Sequence, residues 1–350
     1  MRNRSGVAAT GGFDPAGAGG GALLRRLRFG GVYAILAFIV LVGAILYPGV
    51  LTPVNLANVV TQAVPLGLTA LGMTLVLVTG EIDLSVGSVI SIVSVISANG
   101  MQARDALIAP VLLAAAATGV AVGLVNGLLT TRLGIPSFIV TLAMLLILQG
   151  VNLVWTSGGP SSTLAPAFGH FSALTLGPLP VGALVLAAGT AAIWTVLNRT
   201  VAGRALYIVG GNPRAAFIAG IPVARMRTLA FMLCGLFAAL AGMFETSYVG
   251  SGQSWLGSGM ELTAIAATVI GGTSLFGGRG SAAGALGGAL LLAVIFNLLV
   301  ISGVPAAFEP VATGLILLLG VALYQSPEHH GLRALVRHLA RAGGTRPEGR

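Results

Sequence analysis

From residue 32 to residue 324 the chain is a succession of apolar stretches of span-like length, and no Arg, Asp or Glu stands at the centre of any of them. The hydrocarbon core of a bilayer takes about 20 apolar residues per helix, and inside it every backbone N–H and C=O must be satisfied by the protein itself. A sequence of this kind folds as a bundle of membrane helices. Composition agrees: 56% of the 350 residues are hydrophobic and 8% are charged, where a soluble domain carries about 25% charged residues.

Ten stretches qualify as spans: 32–51, 57–79, 84–101, 107–129, 136–156, 179–197, 228–249, 262–276, 282–300 and 305–324. The first is longer than the apolar core of a signal peptide. It runs into the turn "YPGVLTPVN" and not into a small-residue cleavage site, so it reads as an uncleaved helix. The stretch at 262–276 is short and interrupted by glycine, which predicts a tilted or broken helix. Residues 1–31, rich in Gly, Ala and Arg, read as a flexible cytoplasmic tail, 32–324 as the transmembrane domain, and 325–350 as a polar basic tail with an amphipathic pattern at 331–342.

All 18 basic residues are Arg. Without lysine there is no Walker-A lysine to bind ATP phosphates and no Schiff-base lysine. Cys234 is the single cysteine, which excludes an internal disulfide and a Cys-rich metal site. His170, His329, His330 and His338 form no HExxH pattern. The net charge of +9 has a topological reading in place of a nucleic-acid one. With ten spans and an inside N-terminus, Arg2, Arg4, Arg25, Arg26, Arg28, Arg132, Arg199, Arg204, Arg214, Arg225, Arg227, Arg279 and the tail arginines fall on the inner side, and Arg104 alone falls outside. Nine or eleven spans would scramble that asymmetry.

A short internal echo links "NGLLTTRLGIP" (126–136) with "NLLVISGVP" (297–305). The two stretches join the fourth to the fifth span and the ninth to the tenth. A shift of five spans inverts orientation, as in transporters built from inverted repeats.

The ionisable residues exclude more than they propose. Glu245, Glu261 and Glu309 lie near outer ends of spans, and no carboxylate or arginine sits squarely in the middle of a span, which argues against a gradient-driven secondary carrier. There is no nucleophile–base set for a membrane enzyme. Gln62, Asn126, Gln149, Asn152 and Asn297 are uncharged polar residues within spans. They serve either as interhelical hydrogen bonds or, for Gln62, Asn126, Gln149 and Asn297, as the lining of a path for a neutral polar solute. Uphill transport would then draw its energy from another subunit.

The longest inner loop, 198–227, contains "GGNPRAAFIAGIP". Asn212 is a good N-cap, Pro213 suits the first helical position, and Gly220 with Pro222 ends the helix. A helix this short needs a partner surface. Ala215, Ala216, Phe217 and Ile218 give it an apolar knob beside Arg214, which either lies back on the bundle or docks a cytosolic subunit. At "TGEIDLSVGS" (79–88), Asp83 is placed to cap the following helix, with Ser85 as a rival cap. The junction reads either as an inner turn or as a broken helix lining the path.

Four stretches in order carry a resemblance. "TGEIDLSVGS", "GLVNGLLTTRLGIPSFIVTLAML" (123–145), "GGNPRAAFIAGIPV" (210–223) and "AIAATVIGGTSLFGGRGS" (264–281) together resemble the permease subunits of ATP-binding-cassette importers of the ribose, xylose and related monosaccharide type. Glu81 departs from the family's glycine, and Phe217 and Ile218 stand where members often carry Arg or Tyr and then Leu. The resemblance implies an all-α importer-permease fold of about ten helices in a bacterial cytoplasmic membrane, with both termini inside. It implies a signature turn at Asp83, Ser85 and Gly87, and an ATPase-coupling helix at Asn212, Pro213, Arg214, Ala215, Ala216, Phe217, Ile218 and Gly220. The implied partners are a second permease copy, a periplasmic or lipid-anchored sugar-binding protein, and a cytosolic ATPase subunit that binds ATP and Mg; this chain itself would hold no cofactor and bind no nucleic acid. A branched-chain amino-acid permease of the same superfamily and a stand-alone secondary carrier are the alternatives.

Overall fold

The computed structural model describes residues 17–161 and 163–324. The first half comprises α1 (Gly17–Leu46), α2 (Pro53–Val78), α3 (Val86–Met101), α4 (Ile108–Arg132) and α5 (Ser137–Thr156). A short α6 (Pro166–Gly169) and a hairpin of β1 (Thr175–Leu176) with β2 (Leu179–Pro180) follow. The second half comprises α7 (Val181–Arg199), α8 (Val201–Gly211), α9 (Pro213–Ile218), α10 (Val223–Val249), α11 (Met260–Ile270), α12 (Ala282–Ile301) and α13 (Glu309–Tyr324). The architecture is an all-α membrane bundle. Six helices (α2, α4, α5, α7, α10 and α12) are long and apolar enough to cross a bilayer, and the remaining expected spans are shorter apolar helices within α1, α3, α11 and α13.

The helix that holds the first expected span begins at Gly17. One expectation needs correction. The loop 198–227 holds a second helix, α8. Thr200 caps it by accepting the Gly203 N–H at 3.0 Å, and it buries Leu206 and Val209. Residues 1–16 and the tail 325–350, with its amphipathic pattern, lie outside the described residues.

The centre of the bundle is α2, buried almost throughout and packed against α10, α12, α11 and α7. Thr52 and Pro53 start it, the Thr52 hydroxyl accepting the Asn55 N–H. α4 and α10 approach most closely. A Cβ added to Gly119, Gly123 or Gly235 would collide with a backbone oxygen of the facing helix. Small residues at such a seam let dispersion contacts drive association where lipid leaves little hydrophobic force between helices. Phe38, Leu46, Leu113, Leu146 and Val154 point outward, toward the lipid.

Two breaks interrupt the helices, at residues 79–85 between α2 and α3 and at 250–259 between α10 and α11. They sit at opposite ends of α10. Glu81 of the first break reaches Arg227 near the start of that helix, and the second break follows its end. The α2–α3 and α10–α11 pairs are the second and third and the seventh and eighth expected spans. The breaks therefore obey the same five-span shift as the echo between the Asn126 and Asn297 stretches.

Candidate functional site

At the first break, the Thr79 and Gly80 N–H groups close α2 onto Val76 O and Leu77 O, and Gly80 turns the chain at φ +80°. Asp83 is buried. Its Oδ1 accepts the Ser85 N–H at 2.9 Å and the Ser85 hydroxyl at 2.6 Å. Asn126 on α4 donates through Nδ2 to Ser85 Oγ at 2.9 Å. The expected helix cap thus takes another form. Asp83 folds an Asx turn around Ser85, and Ser85, at the N-cap position of α3, makes no side-chain bond to the helix it precedes. Asp83, Ser85 and Asn126 form one hydrogen-bonded chain between the break and α4.

The second break is held by α3. Ser94 Oγ accepts the Gln253 N–H at 3.2 Å, and Ser91 Oγ accepts the Gly257 N–H at 3.0 Å. Ser161 and Gly252 exchange two backbone bonds across its outer side. Irregular backbone at membrane depth needs such partners. Gly87, the third signature residue, lies directly against Gly257: a Cβ on either would strike the other's carbonyl oxygen, and one on Gly87 would also strike the Glu261 carboxylate. The second break therefore runs back to the first turn of α3, just past the first break, and meets it at a glycine–glycine crossing.

Two cavities flank the second break. The smaller, of about 220 Å³, is lined by Ser88, Ser91, Gln149, Trp255, Ser258 and Glu261. The larger, of about 590 Å³, is lined by Gln62, Glu245, Tyr248, Thr263, Glu309 and Thr313 among others. Of the four residues expected to line a path, Gln149 and Gln62 face these cavities. The other two bind inside the bundle. Asn126 contacts Ser85, and Asn297 exchanges hydrogen bonds with Asn55 of α2 at 3.0 and 3.1 Å. Trp255 and Glu261 had no place in the sequence reading of a path. The signal for them was the glycine-spaced run "GSGQSWLGSG" (250–259), which no span explains.

At the opposite end, three of the quoted stretches converge. α8 ends against the C-terminus of α2: a Cβ on Gly210 would collide with Val78 O, and the Gly278 N–H donates to that same oxygen at 2.9 Å. The Tyr207 hydroxyl donates to Gly280 O at 2.8 Å, which ties α8 to the 271–281 loop. α9 starts as its sequence predicts. Asn212 Oδ1 accepts the Ala215 N–H at 3.0 Å, Pro213 is the first helical residue, and Gly220 adopts φ +77°. Ala216 alone faces inward and is fully buried, while Phe217 and Ile218 are 76% and 85% exposed. Arg214 and Ala215 are exposed as well.

Glu81 gains an explanation here. Its carboxylate pairs with Arg227 at 2.8 Å beside a cleft of about 840 Å³ that also includes Phe217, Arg225 and Ser137. The residue that departs from the family's glycine is matched by an arginine at the start of α10. The start of α10, which follows α9, is thereby joined to the first break.

Residues 55–321 match the family model described as "Branched-chain amino acid transport system / permease component". The chain is 38% identical over 296 residues to the ribose import permease of Escherichia coli (strain K12), covering 82% of this chain and 91% of that protein. It is 34% identical over 317 residues to the galactose/methyl galactoside import permease of Haemophilus influenzae, covering 85% and 94%. It is 40% identical over 299 residues to the autoinducer 2 import system permease of Enterobacter sp. (strain 638), covering 85% and 86%. No solved structure matches it. With most of its length matched by the family model and by import permeases, this multi-pass membrane chain belongs to the family of transport-system permease components.

Proposed function

We propose that the chain is the membrane-spanning subunit of an ATP-binding-cassette importer and forms the path for a monosaccharide or related polyol. The observation that carries the coupling half of this reading is α9. It is a capped helix anchored through Ala216 and packed against α8 and α10, with Phe217 and Ile218 turned outward and largely exposed among the described residues. Such a knob fits a cytosolic ATPase subunit, which would bind ATP and Mg and supply the energy for transport. Closing of the ATPases would shift the bundle between two states by differential binding. A binding protein would deliver the solute outside, and a second permease copy would complete the path. The membrane would be the bacterial cytoplasmic one, with both termini inside, as the arginine asymmetry supports. The relatives above are named for ribose, galactose/methyl galactoside and autoinducer 2, which favours a sugar-like solute over the branched-chain amino acids in the family's description.

The test is uptake into vesicles holding the permease with its ATPase, supplied with the binding protein and a labelled monosaccharide. Uptake that requires ATP inside and the binding protein outside is expected, together with loss of ATPase co-purification when 212–220 is deleted. Uptake that proceeds without the ATPase and collapses with the proton or sodium gradient would establish the secondary carrier instead.

A further inference from the structure

We propose that the small cavity between α3, α5 and the second break is a station that holds one molecule of the neutral polyhydroxylated solute during its passage. The proposal rests on the importer reading above and adds a binding site to it.

The cavity lies where the second break packs against the start of α3. Its floor is the first turn of α3 at Gly87, Ser88 and Ser91, and its wall is Ser254 to Glu261. Membrane transporters place solute sites at such interruptions, because unwound backbone and helix ends present polar groups that a continuous helix hides. The chemistry of the lining suits a sugar. Trp255, 52% exposed, offers an apolar ring face to the C–H side of a sugar ring. The Glu261 carboxylate accepts hydroxyl hydrogens, the Gln149 amide both donates and accepts, and Ser258 adds a hydroxyl. The serines nearer the floor are already engaged: Ser88 donates to Leu145 O and Ser91 accepts from Gly257. Among the described residues, the side chains of Gln149 and Ser258 make no hydrogen bond or ion pair that a solute would have to displace, and the Glu261 carboxylate accepts from the Gly259 N–H and its own N–H, which leaves it lone pairs for a solute. A volume of about 220 Å³ leaves room for a single monosaccharide.

The surroundings sharpen the assignment. Gln149 sits on α5 and Glu261 on the first turn of α11, both amid strongly apolar helices. A carboxylate and an exposed amide at that level are costly against lipid and are found against water or protein. A wet path between permease copies satisfies both. Gly87 then has a specific purpose, since any side chain there would push the Glu261 carboxylate out of its seat.

The experiment uses vesicles holding the permease with its ATPase and binding protein, and measures initial uptake of labelled D-ribose, D-xylose and D-galactose. Trp255→Leu and Glu261→Gln are each expected to lower uptake about tenfold or more, the factor carried by one charge-assisted hydrogen bond or a comparable contact. Co-purification with the ATPase should stay at the wild-type level. If Glu261→Gln fails to assemble, the exposed Trp255→Leu variant decides. Occupancy is read separately with Ser258→Cys, in a chain whose own Cys234 is buried. D-ribose at or above its dissociation constant should slow maleimide labelling about twofold or more. Wild-type uptake with unaltered uptake in the variants and no protection of the cysteine overturns the station alone. A wild type that imports none of these sugars overturns the importer reading beneath it.

Discussion

Glu81 and Asp83 stand two residues apart at one break and do different work. Glu81 is part of an ion pair whose Arg227 side chain is a quarter exposed, at 25%, while Glu81 itself is at 12%. Breaking such a pair leaves a mostly buried charge without its partner. Glu81→Ala and Arg227→Ala are each expected to lower stability by about 1–3 kcal/mol, between the surface and fully buried cases. The double variant should cost less than the sum, and thermal unfolding in detergent reads all three. Asp83→Ala strips both hydrogen bonds from Ser85 and loosens its link to Asn126, so a loss of about 1–3 kcal/mol is expected. Asp83→Asn keeps an acceptor oxygen and should lose less in the same assay. The sequence suggested a capping role for Asp83 because acidic residues before helices usually serve that way. It could not show that the partner would be Ser85 side chain and backbone together, nor that Asn126 would join from another helix. Glu81 was opaque for a similar reason: Arg227 is distant in the chain and meets it only once α2 and α10 are packed.

At the scale of elements, the long helices were legible because a span leaves an unbroken apolar run. The short ones were legible only where punctuation was strong. α9 carries Asn-Pro at its start and Gly-Ile-Pro at its end, and it folds where that punctuation says. α8 carries none as clear, and its apolar run between Thr200 and Gly211 is shorter than a span, so it passed for loop. Glycines at 262–276 suggested an interrupted helix, and α11 does stop at Ile270 before Gly271 and Gly272; the further break at 250–259, where α3 serines satisfy the backbone, was not legible. Two predictions belong here. Asn212→Ala removes the α9 cap and should cost that helix about 0.5–2 kcal/mol, read as weaker retention of the ATPase on an affinity column. Gly123→Leu drives a side chain into the Phe231 carbonyl at the α4–α10 seam. Overpacking of that kind typically costs about 1–3 kcal/mol and more where the obstacle is backbone. The expected readout is a collapse in the yield of monodisperse permease on size-exclusion chromatography.

For the whole molecule, the arginine asymmetry and the ten apolar stretches were enough to read a membrane bundle, while the arrangement of its interior required the fold. α10 links the two breaks. Arg227 near its start grips the first break, and the second break begins where it stops. Replacing the exposed Phe217 and Ile218 with serine should leave the permease monodisperse in detergent and abolish ATPase co-purification, because among the described residues both side chains are largely exposed. Loss of folding in that variant would mean the pair supports the bundle and not a partner.

The crossing of Gly87 and Gly257 bears on how this chain can diverge. Most close contacts tolerate drift through compensation, a larger residue on one side being matched by a smaller one opposite. Here each position already holds the smallest residue, and what each would strike is the other's main-chain oxygen. No exchange at one site can rescue a change at the other. The pair has no neighbouring sequence through which to wander, and the contact between α3 and the second break is frozen as long as the backbone keeps its course.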